Sequence, residues 1–354
     1  MRFAPRRTVR PADGAAGDAP GLPKWPEWVY TDATTMNAHT SPILILGAGA
    51  LGAMYAQRFH ESGLPVAFLA EGERAKRLRT EGVAVNGTRL SIPVVEPDGV
   101  APGPAESPAV VIVALKDQHV PAALPSLAAA IGADTTVFSV MNGIDSERQI
   151  AEGIGDPVDG GRVLHCMVAG MDAVREGNAV EYTRLGTVFI GERRNDPGAP
   201  TPRVAAVQRL LDAAGVAWNT PEDMERAIWN KFMLNVGINQ WSAVLGAPYR
   251  VFHRQDHARN LMRTTMHEVL AVARAREVAL SDEDLEHWFS VVDTLGPDGK
   301  TSMLQDVEAG RKTEVEMFAG RMVEMGREAG IPTPLNQALL DAIRAVEEEG
   351  LRRR

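Results

Sequence analysis

The chain has 354 residues, a formal net charge of −9 and one cysteine. That length accommodates about two domains with full apolar cores. The acidic balance argues against a broad basic face for nucleic acid, and no such partner is expected. The lone cysteine, Cys166, excludes a disulfide framework and suits a reducing cytoplasm. No stretch approaches about eighteen apolar residues, so no membrane span is expected, and no metal is expected either.

In chain order, residues 1–41 differ from the rest. Arg2, Arg6, Arg7 and Arg10 precede an Ala/Gly/Pro-rich segment with no hydrophobic region of the kind an export signal carries. The stretch reads as a disordered extension, with Met36 as a candidate natural start and Trp25, Trp28 and Tyr30 as residues able to dock on a neighbouring surface.

Residues 42–220 alternate short apolar runs with helical stretches, the signature of a parallel α/β sheet of Rossmann type. Strands are expected at 43–46, 66–69, 110–115 and 136–140, and weaker ones at 83–85, 163–168, 179–183 and 187–190. Helices are expected at 50–62, 73–80, 120–131, 145–152 and 202–214. The first strand runs into Gly47-Ala48-Gly49-Ala50-Leu51-Gly52, a G-x-G-x-x-G turn followed at once by an apolar helical pattern. That strand–turn–helix context is what a dinucleotide fingerprint requires. Gly47 permits the tight turn, Gly49 lets the backbone approach a pyrophosphate, and Gly52 lets helix and strand pack closely. A bland βα turn is the alternative, but Glu71 closes the next apolar run about twenty residues on, where an acid can hold a ribose hydroxyl. Lys116 and Asn142-Gly143 follow two further apolar runs, at carboxyl strand ends where open α/β sheets bind ligands. Cys166 sits in an apolar run and reads as a core filler rather than a nucleophile.

From residue 221 to 354 strand signals vanish and an all-helical domain is expected, with helices at 221–246, 255–278, 282–293, 302–329 and 335–350. Thr220 before Pro221 reads as the first N-cap. Lys231, Asn235 and Asn239 step by four along a helix that is otherwise apolar nearly all round. An exposed polar stripe would explain them, yet solvent faces usually carry Glu and Lys rather than paired amides. The chemical reading is a lysine that donates a proton, its pKa lowered by burial, flanked by amides that hold a polar substrate. Ser302 with Gln305 reads as a capping box, and the same helix N-terminus suits a carboxylate. Asp306, Gly310 and Glu314 again step by four, with a glycine that is costly inside a helix. Arg311 and Lys312 read as a solvated face.

These motifs together (GAGALG at 47–52, LK at 115–116, NG at 142–143, WNKFMLNVGIN at 229–239 and SMLQDVEAGRKTE at 302–314) resemble the ketopantoate reductase (2-dehydropantoate 2-reductase) family over residues 42–350. The resemblance implies reduction of a small branched 2-keto acid, 2-dehydropantoate, to pantoate by hydride transfer from a nicotinamide cofactor, in a cytoplasmic enzyme that can form a homodimer. Lys231 would be the proton donor. Asn235, Asn239 and Ser302 would bind substrate, and Lys116 and Asn142 would contact the cofactor and the reacting region. Glu314 would contact cofactor and organise the site, and a backbone contact to cofactor would fall near Ala173. Two positions depart from the family. The family expectation is NADP, but Glu71 stands where many members carry an arginine for its 2′-phosphate, which makes NAD plausible or preferred. Tyr249 stands where some members carry a further substrate-side asparagine. The alternatives are a reductase of another branched 2-keto acid, or a non-catalytic nucleotide sensor, which would not need a proton donor.

Overall fold

The computed structural model describes residues 42–97 and 107–352, so the expectations for residues 1–41, Met36 and the two tryptophans included, lie outside the described residues. The four aliphatic residues of β1 (Ile43–Leu46) are all buried, as continuous apolar strands are when both sheet faces are covered. Alternate residues serve alternate faces. Ile43 and Ile45 join one core with Tyr55 and Phe59, whereas Leu44 and Leu46 join another with Val120 and Leu127. After the glycine turn come α1 (Ala50–Glu61), β2 (Val66–Leu69) and α2 (Gly72–Glu81). β3 (Val83–Val85) and β4 (Thr88–Leu90) then form a hairpin on Asn86-Gly87, both at positive φ as its two-residue turn demands.

The chain continues through β5 (Val94–Val95), β6 (Val110–Val113), α3 (Val120–Ala130), β7 (Thr136–Ser139), α4 (Ser146–Gly153) and β8 (Val163–Met171). It completes the α/β half with β9 (Val174–Glu176), β10 (Ala179–Glu181), β11 (Leu185–Gly191), α5 (Pro202–Ala213) and β12 (Ala217–Asn219). The main sheet has eight strands in the order β12-β11-β8-β7-β6-β1-β2-β5. Its β1/β6 junction is a topological switch point, because the chain departs to β2 on one side and returns to β6 on the other.

Two expectations are corrected. The sheet is not parallel throughout: β11 runs antiparallel to β8, because the short β9–β10 excursion between them supplies no crossover helix. The weaker strands do not all join that sheet either. β4, β3, β10 and β9 make a separate four-stranded sheet, with β10 parallel to β3. β4, β5, β9 and β12 were not expected, since two or three residues are too few to show a period.

The helical half comprises α6 (Met224–Leu245), α7 (Tyr249–Arg254), α8 (Asp256–Ala275), α9 (Asp282–Val292), α10 (Ser302–Glu308), α11 (Arg321–Ala329) and α12 (Pro334–Arg352). Its core joins Phe232, Val236, Met262, Met266, Phe318 and Met322. A Cβ on Gly237 would stand 2.5 Å from Met266 Cγ, so the glycine lets α6 and α8 close on each other. α7 escaped the sequence reading.

Thr220 is not the cap of α6. Its hydroxyl donates to the Ile190 carbonyl at 2.8 Å, and Asp223 caps instead by accepting from the Arg226 N–H at 2.8 Å. The expected helix 302–329 is three pieces. α10 ends at Glu308, Gly310 turns left-handed at φ 58, and a π-helical turn spans Glu316–Gly320 ahead of α11. Asp306, Gly310 and Glu314 therefore do not share one helical stripe. Thr313 is tied instead to Glu347 of α12, its N–H and hydroxyl donating at 2.7 and 2.6 Å, which no local pattern announces. Among the described residues, no helix is long and apolar enough to cross a membrane.

Candidate active site

The glycine turn at the end of β1 meets strict steric demands at two of its three glycines. A Cβ on Gly47, at φ 113, would stand 2.4 Å from the Ala114 carbonyl oxygen, and one on Gly52 only 1.8 Å from that of Gly47. Gly49 is different, since its Cβ would meet nothing nearer than the Ala114 oxygen at 3.7 Å. The fold itself does not require that glycine, whereas a ligand lying on the outer side of the turn does. Gly49 is also the N-cap of α1 with no side-chain cap, so Ala50, Leu51 and Gly52 present uncapped N–H groups there. A dinucleotide pyrophosphate fits such a cradle.

The strand ends beside it carry the polar side chains. Lys116, just beyond β6, donates from Nζ to Asp306 Oδ2 at 2.7 Å and to the Lys312 carbonyl at 3.1 Å, both across the cleft in the helical half. Arg311 pairs with the other Asp306 oxygen at 2.8 Å, so it is not simply a solvated side chain. Asn142, beyond β7, donates from Nδ2 to Glu314 Oε2 at 3.1 Å and accepts from Lys231 Nζ at 3.0 Å. Lys231, Asn142 and Glu314 thus form one relay built from three separate segments. Gly143, at φ 96, gives it room, because a Cβ there would strike Met317 Sδ at 2.7 Å.

Burial lowers the Lys231 ammonium to a pKa of about 8, against the raising influence of Cys166 and Glu314. Burial likewise raises Glu314, opposed by the Asn142 hydrogen bond and by Lys116 and Lys231. Cys166 is buried in the core and its thiol is raised by burial, consistent with a filler.

Asn235 and Asn239 follow Lys231 one and two turns along α6, and Asn239 is only 7% exposed. Neither side chain has a hydrogen-bond partner among the described residues, whereas the next residue, Gln240, is fully bonded. Ser302 is not the N-cap its sequence suggested. Thr301 accepts from the Leu304 N–H at 3.2 Å, while Ser302 stands exposed at the first position of α10, its hydroxyl without a partner among the described residues. The Tyr249 ring lies on Gly299, whose Cβ would be 2.9 Å from Tyr249 Cδ2.

Glu71 is exposed at the N-cap of α2 and caps nothing. Arg74 and Arg77, on the first turns of α2, have no acidic partner among the described residues. Burial and then Arg77 lower the Arg74 guanidinium, and Arg175 of β9 is lowered by burial and by Arg74, Arg77 and Arg311. Arg175 went unnoticed in the sequence because only folding brings β9 to α2. Ala173 lies between β8 and β9, half-buried against the sheet core. The partnership of Asp306 with Lys116 was likewise invisible, because 190 residues separate the two.

A glycine-cradled switch point facing a helical half that presents a lysine of lowered pKa defines a two-domain nicotinamide-dependent oxidoreductase. The comparisons make that class specific. The family model "Ketopantoate reductase PanE/ApbA" matches residues 43–195 and its C-terminal counterpart matches residues 223–347, so the chain belongs to the ketopantoate reductase family. It is 28% identical over 316 residues to the 2-dehydropantoate 2-reductase of Archaeoglobus fulgidus, covering 86% of this chain and 97% of that protein. Its fold is similar to that of a PanE/ApbA family ketopantoate reductase from Ralstonia eutropha, with TM-score 0.73, 24% identity and coverage of 88% and 99%. It is similar also to D-mandelate dehydrogenase in its ternary structure with NADH and anilino(oxo)acetate, with TM-score 0.75, 22% identity and coverage of 87% and 99%.

Proposed function

We infer that the protein reduces 2-dehydropantoate to pantoate, taking a hydride from a reduced nicotinamide cofactor and a proton from Lys231. The observation that carries this reading is the Lys231–Asn142–Glu314 relay beyond the carboxyl end of β7. A bound nicotinamide supplies the hydride to the carbonyl carbon. The keto oxygen, as it gains charge, takes a proton from Lys231 Nζ, whose pKa of about 8 leaves it charged yet ready to give the proton up near neutrality. Asn142 orients that ammonium by accepting one of its hydrogens. The free amides of Asn235 and Asn239 hold the substrate's polar groups, and the Ser302 hydroxyl with the first N–H groups of α10 receives the carboxylate. Lys116 and Glu314 line the cofactor side, and the backbone near Ala173 closes it. Residues 42–220 act as the cofactor domain and residues 221–354 as the substrate domain, with assembly as a homodimer.

The cofactor's 2′ position is contested by two groups. The Glu71 carboxylate suits a free 2′-hydroxyl, whereas Arg74, Arg77 and Arg175 repel one another and an anion between them would relieve that. We therefore propose that NADH is used at least comparably with NADPH, the arginines keeping the phosphate acceptable. Tyr249 favours a second reading, a reductase for a 2-keto acid with a different branched side chain, because a tyrosine packed on Gly299 stands where some family members carry a substrate-side asparagine. The test is absorbance at the nicotinamide band with a panel of 2-keto acids and both cofactors. Fastest turnover of 2-dehydropantoate supports the first reading, a bulkier acid turned over faster supports the second, and cofactor binding without turnover of any acid would point to a sensor.

A further inference from the structure

The π-helical turn at Glu316–Gly320 lies just after Glu314, and its hydrogen bonds explain its presence. In a regular helix the Ala319 N–H would donate to the Val315 carbonyl. Here Gly320 takes that acceptor at 3.0 Å, five residues back, leaving the Ala319 N–H with no partner on its own helix. Gln240 supplies the partner, its Oε1 accepting from the Ala319 N–H at 3.1 Å. Gln240 is fully buried and lies on α6, nine residues after Lys231. The way round its amide lies is set by the other end, where Nε2 donates to the Val236 carbonyl at 3.0 Å and to Asn336 Oδ1 at 3.5 Å. Asn336, also fully buried, turns its oxygen to Gln240 and donates from Nδ2 to Glu268 Oε2 at 2.8 Å. A chain of four buried groups, from Glu268 through Asn336 and Gln240 to the Ala319 N–H, therefore runs from α8 to the π-turn.

We propose that Gln240 is a positioning residue for the proton donor, holding the π-turn so that Glu314 reaches Asn142 and Asn142 reaches Lys231. The inference rests on the reading of Lys231 given above. A π-turn inserts one residue relative to a regular helix, so losing it would rotate the preceding segment by about 100° against α11. Both things the segment delivers would move: the Glu314 carboxylate that accepts from Asn142, and the Met317 side chain that lies on Gly143. An apolar side chain at 240 would also leave the Ala319 N–H buried and unsatisfied. The titratable groups facing Lys231 are Glu314, ahead of the π-turn, and the Cys166 thiol on β8, which burial keeps protonated, while Lys116 and Asp306 face Glu314. Of these, only Glu314 moves with the π-turn.

The test compares Gln240→Met with Gln240→Glu in the full-length enzyme. Gln240→Met removes the acceptor at nearly constant volume. It should lower kcat about tenfold or more with KM for the keto acid changed less than about threefold. The alkaline limb of its kcat profile should move to lower pH, because Glu314 no longer supports the ammonium. Gln240→Glu, protonated in that buried site, keeps the acceptor for the Ala319 N–H and one of the amide's two donated hydrogen bonds, and should return kcat and the limb close to wild type even with a lower Tm. Wild-type kcat and limb in Gln240→Met, or equal defects in both variants, would overturn the proposal. Should Gln240→Met yield no folded enzyme, Gln240→Ala takes its place. That variant also lacks the acceptor for the Ala319 N–H and should shift the limb the same way; an unmoved limb overturns the proposal there too. Amide hydrogen exchange across 314–320 reads the hold on the π-turn without any turnover, and Lys231→Ala is assayed beside it. Turnover surviving in Lys231→Ala would sink the reading of the lysine, while unchanged exchange in Gln240→Met would sink the role of Gln240 alone.

Discussion

Lys231 is a charged group on a helix whose other faces are apolar, and the proposed role of proton donor draws on the cost of that placement. Burial disfavours the ammonium, so its pKa stands at about 8 instead of 10.5. Reduction uses the protonated form, and its kcat should fall as pH rises through about 8, whereas oxidation of the hydroxy acid uses the free amine and should rise over the same range. Limbs of the same sign in the two directions would remove the lysine from the proton step. Lys231→Ala should fold and lose about two to four decades of kcat. The stability sign follows from the same shift. Between about 8 and 10.5 the folded state binds fewer protons than the unfolded one, so the penalty of the buried charge is full below pH 8 and fades above it. Lys231→Met should therefore raise Tm more at pH 7 than at pH 10. At the far end of the cofactor site, Glu71→Arg should move the ratio of kcat/KM for NADPH over NADH upward by about tenfold, one charge-assisted contact's worth. A wild-type preference for NADPH above about a hundredfold would show that Arg74, Arg77 and Arg175 already decide the choice.

Elements confer meaning on glycines that look alike in sequence. Gly49→Ala and Gly52→Ala are the same change three residues apart, with opposite expectations. The new methyl at 52 would collide with the Gly47 carbonyl at 1.8 Å, so the βα unit must shift, at a cost of about 3 kcal/mol read as a lower urea midpoint. The new methyl at 49 finds only ordinary contact at 3.7 Å and should cost no more than about 1 kcal/mol, the preference of an N-cap for glycine over alanine. It should nevertheless weaken cofactor binding about tenfold by standing where the pyrophosphate approaches. An unaltered cofactor Kd in Gly49→Ala would refute that approach.

Across the whole molecule, a few long-range pairs fasten the two halves around the cleft. Arg321 of α11 grips Asp145 at the start of α4 with two hydrogen bonds of 2.8 and 3.0 Å, both side chains mostly buried. Arg148 also reaches Asp145 at 3.2 Å, so the carboxylate would not be stranded by loss of Arg321. Arg321→Ala should cost about 2 kcal/mol rather than the larger loss of a fully orphaned charge. Because α4 follows Asn142 and α11 follows the π-turn, the variant should also raise KM for both substrates. A drop in stability with unchanged KM would mean that the relay is held without this fastening.

Sequence alone determined the elements whose signal is local. The apolar runs of β1, β2, β6 and β7, the glycine turn and the i, i+4, i+8 stripe of α6 each follow from a periodicity or a steric rule within a few residues. The family motifs, as contiguous strings, were legible for the same reason. Partnerships made by distant segments were not. Lys116 meets Asp306, Asn142 stands between Lys231 and Glu314, and Arg175 comes to Arg74 only when the sheets and helices stack. The expected helix 302–329 failed for that cause: its periodicity is real on either side, but Glu347 and Gln240 satisfy backbone N–H groups from other helices and let the chain turn and bulge. Capping shifted likewise from Thr220 to Asp223 and from Ser302 to Thr301, since a hydroxyl bonds the nearest carbonyl or N–H that the packed structure presents. Local pattern fixes which residues can form an element; the buried polar groups that must find partners decide where it breaks and what its side chains face.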